Sequence, residues 1–400
     1  MSKLEDTTLS KSISNRVQDQ RLRIVGHPHA AIGMGEFCRS LWRSVKEVGL
    51  DASLVDVYGP FGPVDPEITA LIGDDGVSDL GDGINIFVMN GDEVDPIFKH
   101  LKNRNLNSPG SYNIIYPAWE LERYPSEWAK ELSRFDEVWG LSKFTTDALA
   151  RAVTKPTRHM SLASEVRQKS LLSRKHFGIR ESAYTFFFAF DFLSYIERKN
   201  PLAVISAFSE MLRKHPYADV SLVIKTNNAD RKPEMKAQFD AAIEPIRQRV
   251  TLIDGTLDGP DMKSLIWLND CFVSLHRSEG YGFGIAEAMS LGKPVIATEY
   301  SGNMDFCDHE TAILIPYTLK SLSRGDYPHW EGQKWAQADI SMAAAAMSRL
   351  VDSPQWGREL GRRAQIHMQT NFSYLARGLK VMEAVEQIQK RILDTTKTGA

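Results

Sequence analysis

The sequence predicts an α/β protein built from two Rossmann-like, doubly wound domains facing a cleft. Short runs rich in β-branched and aromatic residues alternate with helical patterns along most of the chain. That alternation weakens once, in the charged stretch before residue 184, and then resumes. The chain has 400 residues, 42% of them hydrophobic and 25% charged, which is enough for two cores of ordinary globular composition.

The first twenty residues, "MSKLEDTTLSKSISNRVQDQ", are polar and are expected to form a flexible arm. "RLRIVG" reads as a strand ending in glycine, and "HPHAAIGMG" as the loop after it. "EFCRSLWRSVKEVG" reads as a helix, with Phe37, Leu41, Val45 and Val48 on one face and Gly49 closing it. "ASLVDVY", "INIFVMN", "YNIIYPAWE" and "DEVWGLS" read as further strands, and "KFTTDALARAV" as a helix. The stretch "TKPTRHMSLASEVRQKSLLSRKHFGIRESA" is charged and irregular, and it reads as the connection between domains. The second alternation runs from "YTFFFAFD" through "VSLVIKT", "RVTLIDG", "DCFVSLH" and "PVIATEY" as strands, with helical patterns between them. "YLARGLKVMEAVEQIQKRILDTT" is one amphipathic helix, expected to cross back to the first domain. The expected organisation is an arm at 1–20, a first domain at 21–168, a second at 169–372 and the terminal helix at 373–400.

Several classes are disfavoured. The net charge of −3 supplies no global basic field for nucleic acid. Cys38, Cys271 and Cys307 have neither metal nor redox spacing, and their number fits a reducing cytoplasm. The N-terminus lacks the apolar core of a secretory signal, and no apolar run is long enough to span a bilayer. Basic residues in "TKPTRH" and "RKH" leave open a peripheral contact at the inner face of the cytoplasmic membrane. Ordinary solvated charge explains them as well. Oligomeric state is not legible.

The chemistry concentrates in "HRSEGYGFGIAEAMSLGKPVIAT", His276 to Thr298. A strand ends at His276 and a helix starts near Phe283, so the segment between is a loop at the carboxyl end of a parallel strand, where open α/β sheets bind ligands. Gly280, Gly282 and Gly284 allow backbone to approach a ligand. The helix start at Phe283, Gly284 and Ile285 offers free N–H groups and the positive end of a dipole, which suits a diphosphate or a sugar hydroxyl. Glu279 and Glu287 flank the glycines. A carboxylate accepts hydrogen bonds from two adjacent hydroxyls, so one could hold a sugar ring and the other a ribose.

Glu279-x7-Glu287 within "SEGYGFGIAEAMSLGKPVIATEYSGNMDF" resembles the signature of the family 4 retaining glycosyltransferases, the group 1 glycosyl transferases, which have the GT-B fold. The resemblance implies that Glu279 touches the donor sugar and Glu287 the ribose. It implies a hexosyltransferase that retains configuration, forms an α-linkage, needs no cofactor or metal and has no obvious protein nucleophile. The substrates it implies are a nucleotide-diphospho-sugar (GDP- or UDP-sugar) and a saccharide acceptor, a glycan or a lipid-linked saccharide of polysaccharide biosynthesis.

A departing diphosphate needs cations. Arg198 and Lys199 in "SYIERKNP" follow one strand, and Lys225 ends another. In the resembled family such residues bind the donor phosphates; Arg198 and Lys225 are preferred, with Lys199 able to replace Arg198. "GHPHAAIGMGEF" resembles the family's first glycine-rich loop, facing acceptor and phosphates, with Gly33 and Gly35 as its flexible pair. The third glycine of a dinucleotide fingerprint is replaced by Cys38, which disfavours a nicotinamide dehydrogenase. Glu120, in the aromatic and acidic "YPAWELERYPSEW", follows a strand and could reach sugar hydroxyls. His276 could contact the donor or simply sit at the core edge. His27 and His29 lack the further ligands a metal needs. Two alternatives share the fold: a non-catalytic protein that binds nucleotide sugar, and a sugar-nucleotide epimerase.

Overall fold

The alternating runs of the first half form one sheet of β1 (Leu22–Gly26), β2 (Ala52–Asp56), β3 (Gly76–Val77), β4 (Gly83–Phe87), β5 (Ser111–Ile115), β6 (Glu137–Gly140) and β7 (Thr157–His159). Their order is β3-β2-β1-β4-β5-β6-β7 and every pairing is parallel. Parallel neighbours require crossovers, and these are α1 (Gly33–Glu47), α2 (Pro66–Ile72), α3 (Gly91–Leu101), α4 (Ser126–Leu132) and α5 (Lys143–Ala152). These features come from a computed structural model that describes residues 22–30, 32–57, 66–72, 76–77, 80, 83–101, 111–167 and 169–398. The arm expected at 1–20 lies outside the described residues.

Two details differ from the sequence reading. "TKPTRH" is not irregular: Thr157–His159 adds a seventh strand beside β6, with Arg158 Nε donating to Glu137 at 2.9 Å. The first helix starts at Gly33, three residues before Glu36, so Gly33 and Gly35 are helical and not part of a flexible loop. Glu36 N already donates to Ile32 O at 3.0 Å.

The terminal helix α13 (Tyr374–Thr398) belongs to the same compact unit as this sheet. Its buried face, Tyr374, Val381, Ala384, Val385 and Ile388, has helical spacing. Arg43 Nη1 on α1 donates to Tyr374 Oη at 3.2 Å, and Arg391 pairs with the buried Glu137 at 2.5 Å. Glu137 therefore sits between Arg158 and Arg391. Burial alone would raise its pKa, but these hydrogen-bonded cations lower it.

The second unit comprises residues 120–122 and 164–371. Its sheet contains β8 (Tyr184–Asp191), β9 (Val220–Asn227), β10 (Val250–Asp254), β11 (Cys271–Ser274), β12 (Val295–Thr298) and β13 (Ile313–Ile315), all parallel, in the order β10-β9-β8-β11-β12-β13. The helices are α6 (Ile196–Lys199), α7 (Pro201–Lys214), α8 (Pro233–Ile243), α9 (Gly259–Leu268), α10 (Phe283–Ser290), α11 (Ile340–Asp352) and α12 (Pro354–Asn371). Strand alternation splits "YTFFFAFD" between two faces. Phe186, Phe188 and Phe190 enter the cluster with Phe208 and Phe239, while Phe187 meets Phe272 on the other side. An antiparallel hairpin, β14 (Tyr317–Ser321) with β15 (Lys334–Ala338), stands apart from this sheet. The sequence reading contains no such element, because all five residues of β14 are exposed and give no buried-face periodicity.

Candidate functional site

In the second sheet the chain leaves β8 toward β9 and leaves β11 toward β12. The strand order therefore reverses between β8 and β11, which opens a crevice at their carboxyl ends. The loop after β8 carries Arg198 and Lys199, and the loop after β11 carries Glu279. Arg198 Nη1 donates to Glu279 Oε2 at 2.9 Å, and Lys199 Nζ to Glu279 Oε1 at 2.5 Å. Backbone stitches the loops together: Arg277 N donates to Arg198 O at 2.8 Å, and Arg198 Nη1 to Ser278 O at 3.1 Å. Arg198 and Lys199, expected in a loop, form the one-turn helix α6. Tyr195 and Asn200 bound it in left-handed conformations, both with φ of 56°, and Asn200 Nδ2 donates to Leu275 O at 2.9 Å.

Glu279 is 7% exposed and Arg198 6%. Burial raises the pKa of a carboxyl group, yet Lys199 and Arg198 outweigh it and hold Glu279 at about 2. Burial lowers the Lys199 pKa; Glu279 opposes that, and Arg198 adds to it. For Arg198 burial also lowers, but Glu279 and Glu120 prevail and raise it. On the far side of the guanidinium, Glu120 Oε1 lies 4.0 Å from Arg198 Nη2. Tyr327 Oη donates to Glu120 Oε2, and Ser278 Oγ donates to the Glu120 carbonyl. Arg198 Nε is buried without a hydrogen-bond partner. The cluster thus holds two cations and two carboxylates, and it retains a donor nitrogen that a ligand oxygen could satisfy.

The glycine-rich turn behaves as its composition dictates. Gly282 takes φ of 99°, a left-handed conformation costly for other residues, and caps α10. Phe283, Gly284 and Ile285 form the first turn of that helix, whose amides lack intrahelical acceptors. Glu287 lies one turn in and pairs with Lys263 of α9. The carbonyl of Glu279 accepts from Gly302 N at 2.9 Å, and its amide donates to Ser301 Oγ at 2.8 Å. "SGNMDF" therefore fixes the loop from behind.

His276 is fully buried, with its Nε2 3.1 Å from Tyr300 O and 3.0 Å from Asn303 Oδ1, and its Nδ1 3.1 Å from Ser274 Oγ. A carbonyl only accepts, so Nε2 carries the proton and Ser274 donates to Nδ1. Burial lowers its pKa and keeps it neutral. The ring braces the loop, and both of its nitrogens have hydrogen-bond partners. Lys225 has a different setting: Nζ donates to Asn227 Oδ1 at 2.7 Å, burial lowers its pKa, and Asp191 and Asp254 oppose this. The cluster at Glu279 does not include it.

In the first unit, Gly35 is required by close approach, since a Cβ there would meet Ala30 O at 1.9 Å; one at Gly33 would meet nothing within 4 Å. His27 pairs with Glu93 at 2.9 Å and His29 with Asp56 at 2.7 Å. No group of three or more metal-capable side chains occurs among the described residues. The sequence reading missed Lys263 and Tyr327. Neither belongs to a local pattern, so no local signal marks them.

Two doubly wound parallel sheets, one ending in this carboxylate and cation cluster, define the class of protein: the fold is GT-B. Residues 185–323 match the family model described as Glycosyl transferases group 1. HepE of Anabaena, solved in complex with UDP and glucose, is similar at 13% identity and a TM-score of 0.66, over 92% of this chain and 100% of that one. Sucrose-phosphate synthase from Thermosynechococcus elongatus is similar at 15% identity and a TM-score of 0.65, over 92% and 99%. A glycosyltransferase from Rickettsia africae follows at 14% identity and a TM-score of 0.60, over 93% and 98%. No curated protein matches the chain by sequence.

Proposed function

We propose that the protein is a retaining glycosyltransferase, moving a hexose from a nucleotide-diphospho-sugar to a saccharide hydroxyl with an α-linkage. The observation that carries this reading is the meeting of Arg198, Lys199 and Glu279 at the switch point of the second sheet, beside the start of α10.

The diphosphate takes over Arg198 and Lys199, helped by the first amides of α10. Glu279, released from both cations, accepts hydrogen bonds from the donor sugar. Glu287 exchanges Lys263 for the ribose hydroxyls. Lys225 supplies further positive charge near the phosphates. Glycosyl transfer breaks the bond between the anomeric carbon and the diphosphate oxygen and forms one to the acceptor oxygen. The acceptor oxygen is itself the nucleophile, attacking on the face the diphosphate leaves, and the leaving phosphate accepts its proton, so no side chain serves as nucleophile or base. Cationic groups stabilise the negative charge that grows on the leaving group. The acceptor, a glycan or lipid-linked saccharide, binds the first unit near Gly33 and Gly35. UDP-sugars are the first donors to test, because HepE binds UDP and glucose. The three cysteines are free and buried, which supports a cytoplasmic site. No helix among the described residues is long and apolar enough to cross a membrane, so any membrane contact by such a helix would be peripheral.

The test is a thermal-shift screen against UDP, GDP, ADP and their sugar conjugates, with Glu287→Ala alongside. Stabilisation by one nucleotide, reduced in the variant, is the expected result. Absence of stabilisation by all of them refutes the reading.

A further inference from the structure

Tyr195 combines features that ordinary packing does not require. It is a bulky residue held at φ of 56°, where only glycine and a few small polar residues sit easily. Such strain is retained where surrounding structure forces it, and it clusters at ligand sites. The strain does not bury the ring, which remains 44% exposed. The ring instead packs against Tyr327, with centroids 4.7 Å apart at 58°.

Tyr327 is 8% exposed and donates its hydroxyl to Glu120. That bond fixes one carboxylate oxygen of Glu120 and leaves the other directed to the Arg198 side, 4.0 Å from Nη2. Tyr327 lies between β14 and β15, past residue 323 where the family match ends. The hairpin is anchored to the same loop as Glu279. Ala336 N donates to Arg277 O at 2.9 Å, Arg277 Nε donates to Gln337 Oε1 at 3.2 Å, and the Arg277 guanidinium lies 5.5 Å from the centre of the Trp335 ring. Arg198 therefore has a carboxylate on each side: Glu279 from the loop after β11, and Glu120 set by the hairpin.

We infer that Tyr195, Tyr327 and Glu120 form a sugar-reading subsite that selects the transferred hexose of the donor. This rests on the transferase reading above. A pyranose presents an apolar C–H face and a rim of hydroxyls. One carboxylate can hold only one adjacent pair of hydroxyls, so Glu279 alone leaves the rest of the rim unread. The exposed face of Tyr195 matches the C–H face, and the Glu120 carboxylate accepts from hydroxyls that Glu279 does not reach. Tyr327 acts through Glu120 and is a positioning residue. A site that hydrogen-bonds a hydroxyl discriminates strongly against sugars lacking it, because its own polar groups are then left unpaired.

The experiment compares binding of UDP with binding of UDP-glucose by calorimetry, or of the GDP pair if the screen selects GDP. It uses the wild-type full chain and the variants Tyr195→Gly, Tyr327→Phe and Glu120→Gln. Tyr195→Gly removes the ring while relieving the left-handed strain, and Tyr327→Phe removes only a hydroxyl, so both keep the fold. The expected result is about a tenfold loss of affinity for the sugar conjugate in each variant and less than about a twofold change for the free nucleotide. A merely structural role would weaken both ligands alike. Equal losses on the two ligands, or no loss on either, overturn the proposal. If one variant fails to fold, the same split must appear in the other two, and its absence there overturns the proposal equally. A wild-type protein that binds neither nucleotide overturns the transferase reading itself, an outcome distinct from a wild type that binds with no split among the variants.

Discussion

Replacing Glu279 with glutamine keeps the shape of the side chain and removes its charge. Two cations, one of them only 6% exposed, then lose their common carboxylate. The native carboxyl sits at about 2 against a reference of 4.5, a difference worth about 3 kcal/mol. Breaking a buried pair from one side costs about the same, on the order of 3–5 kcal/mol. For a unit of about 200 residues each kcal/mol moves the midpoint by about 2–4 °C, so Glu279→Gln should melt roughly 10 °C below wild type. UDP should reverse part of this loss, because its diphosphate gives Arg198 and Lys199 the anion they lack. The thermal shift produced by UDP should therefore be larger in the variant than in wild type. UDP is the right probe because it lacks the sugar that Glu279 is proposed to hold. A variant that melts with wild type, or gains no more from UDP than wild type does, refutes the partner-exchange account. The same depressed pKa sets a pH dependence. Its stabilisation is fully present above the unfolded-state pKa of 4.5 and is lost as pH falls from there through about 2, which an acid melting series in wild type and Glu279→Gln would show as converging midpoints.

Glu287→Ala should raise the Kd for nucleotide about tenfold while leaving the apo melting point within a few degrees, since Lys263 beside it is partly solvated; titration calorimetry reads both donor and product. Lys225→Ala should reduce kcat more than it raises KM, because charge on the leaving group matters most in the transition state; steady-state kinetics with the identified donor would show the split. Gly282→Ala should cost about 1–2 kcal/mol in thermal melts, since φ of 99° strains any residue with a Cβ. Glu137→Ala should destabilise the first unit by about 3 kcal/mol, because Arg158 and Arg391 lose the carboxylate joining β6, β7 and α13; hydrogen exchange localised to α13 is the readout.

The fold class was legible because parallel strands buried on both faces read as continuous apolar runs, and "YTFFFAFD" and "PVIATEY" need no partner to be recognised. The turn at Gly282 and the start of α10 were equally legible, since glycines after a strand end followed by a short helical run are a local pattern. The hairpin at 317–338 was not, because an exposed strand leaves no periodicity. Gly33 and Gly35 read as loop residues by composition, yet both lie in the first turn of α1, where Ala30 approaches Gly35 too closely for a side chain.

The sequence by itself determined two α/β units and a carboxylate, glycine turn, carboxylate and helix in that order, because each of these is written within one or two dozen residues. Only the tertiary structure decided which strands are neighbours. That order sets β8 beside β11, so Arg198 meets Glu279 across 81 residues of chain. It also decided that His276 is sealed into the core, that Lys225 keeps company with Asp191 and Asp254, and that Tyr327 reaches Glu120 from 207 residues away. The physical reason is that local periodicity reports which face of an element is buried. Which side chains share a crevice depends on strand order, and strand order is fixed by long-range packing.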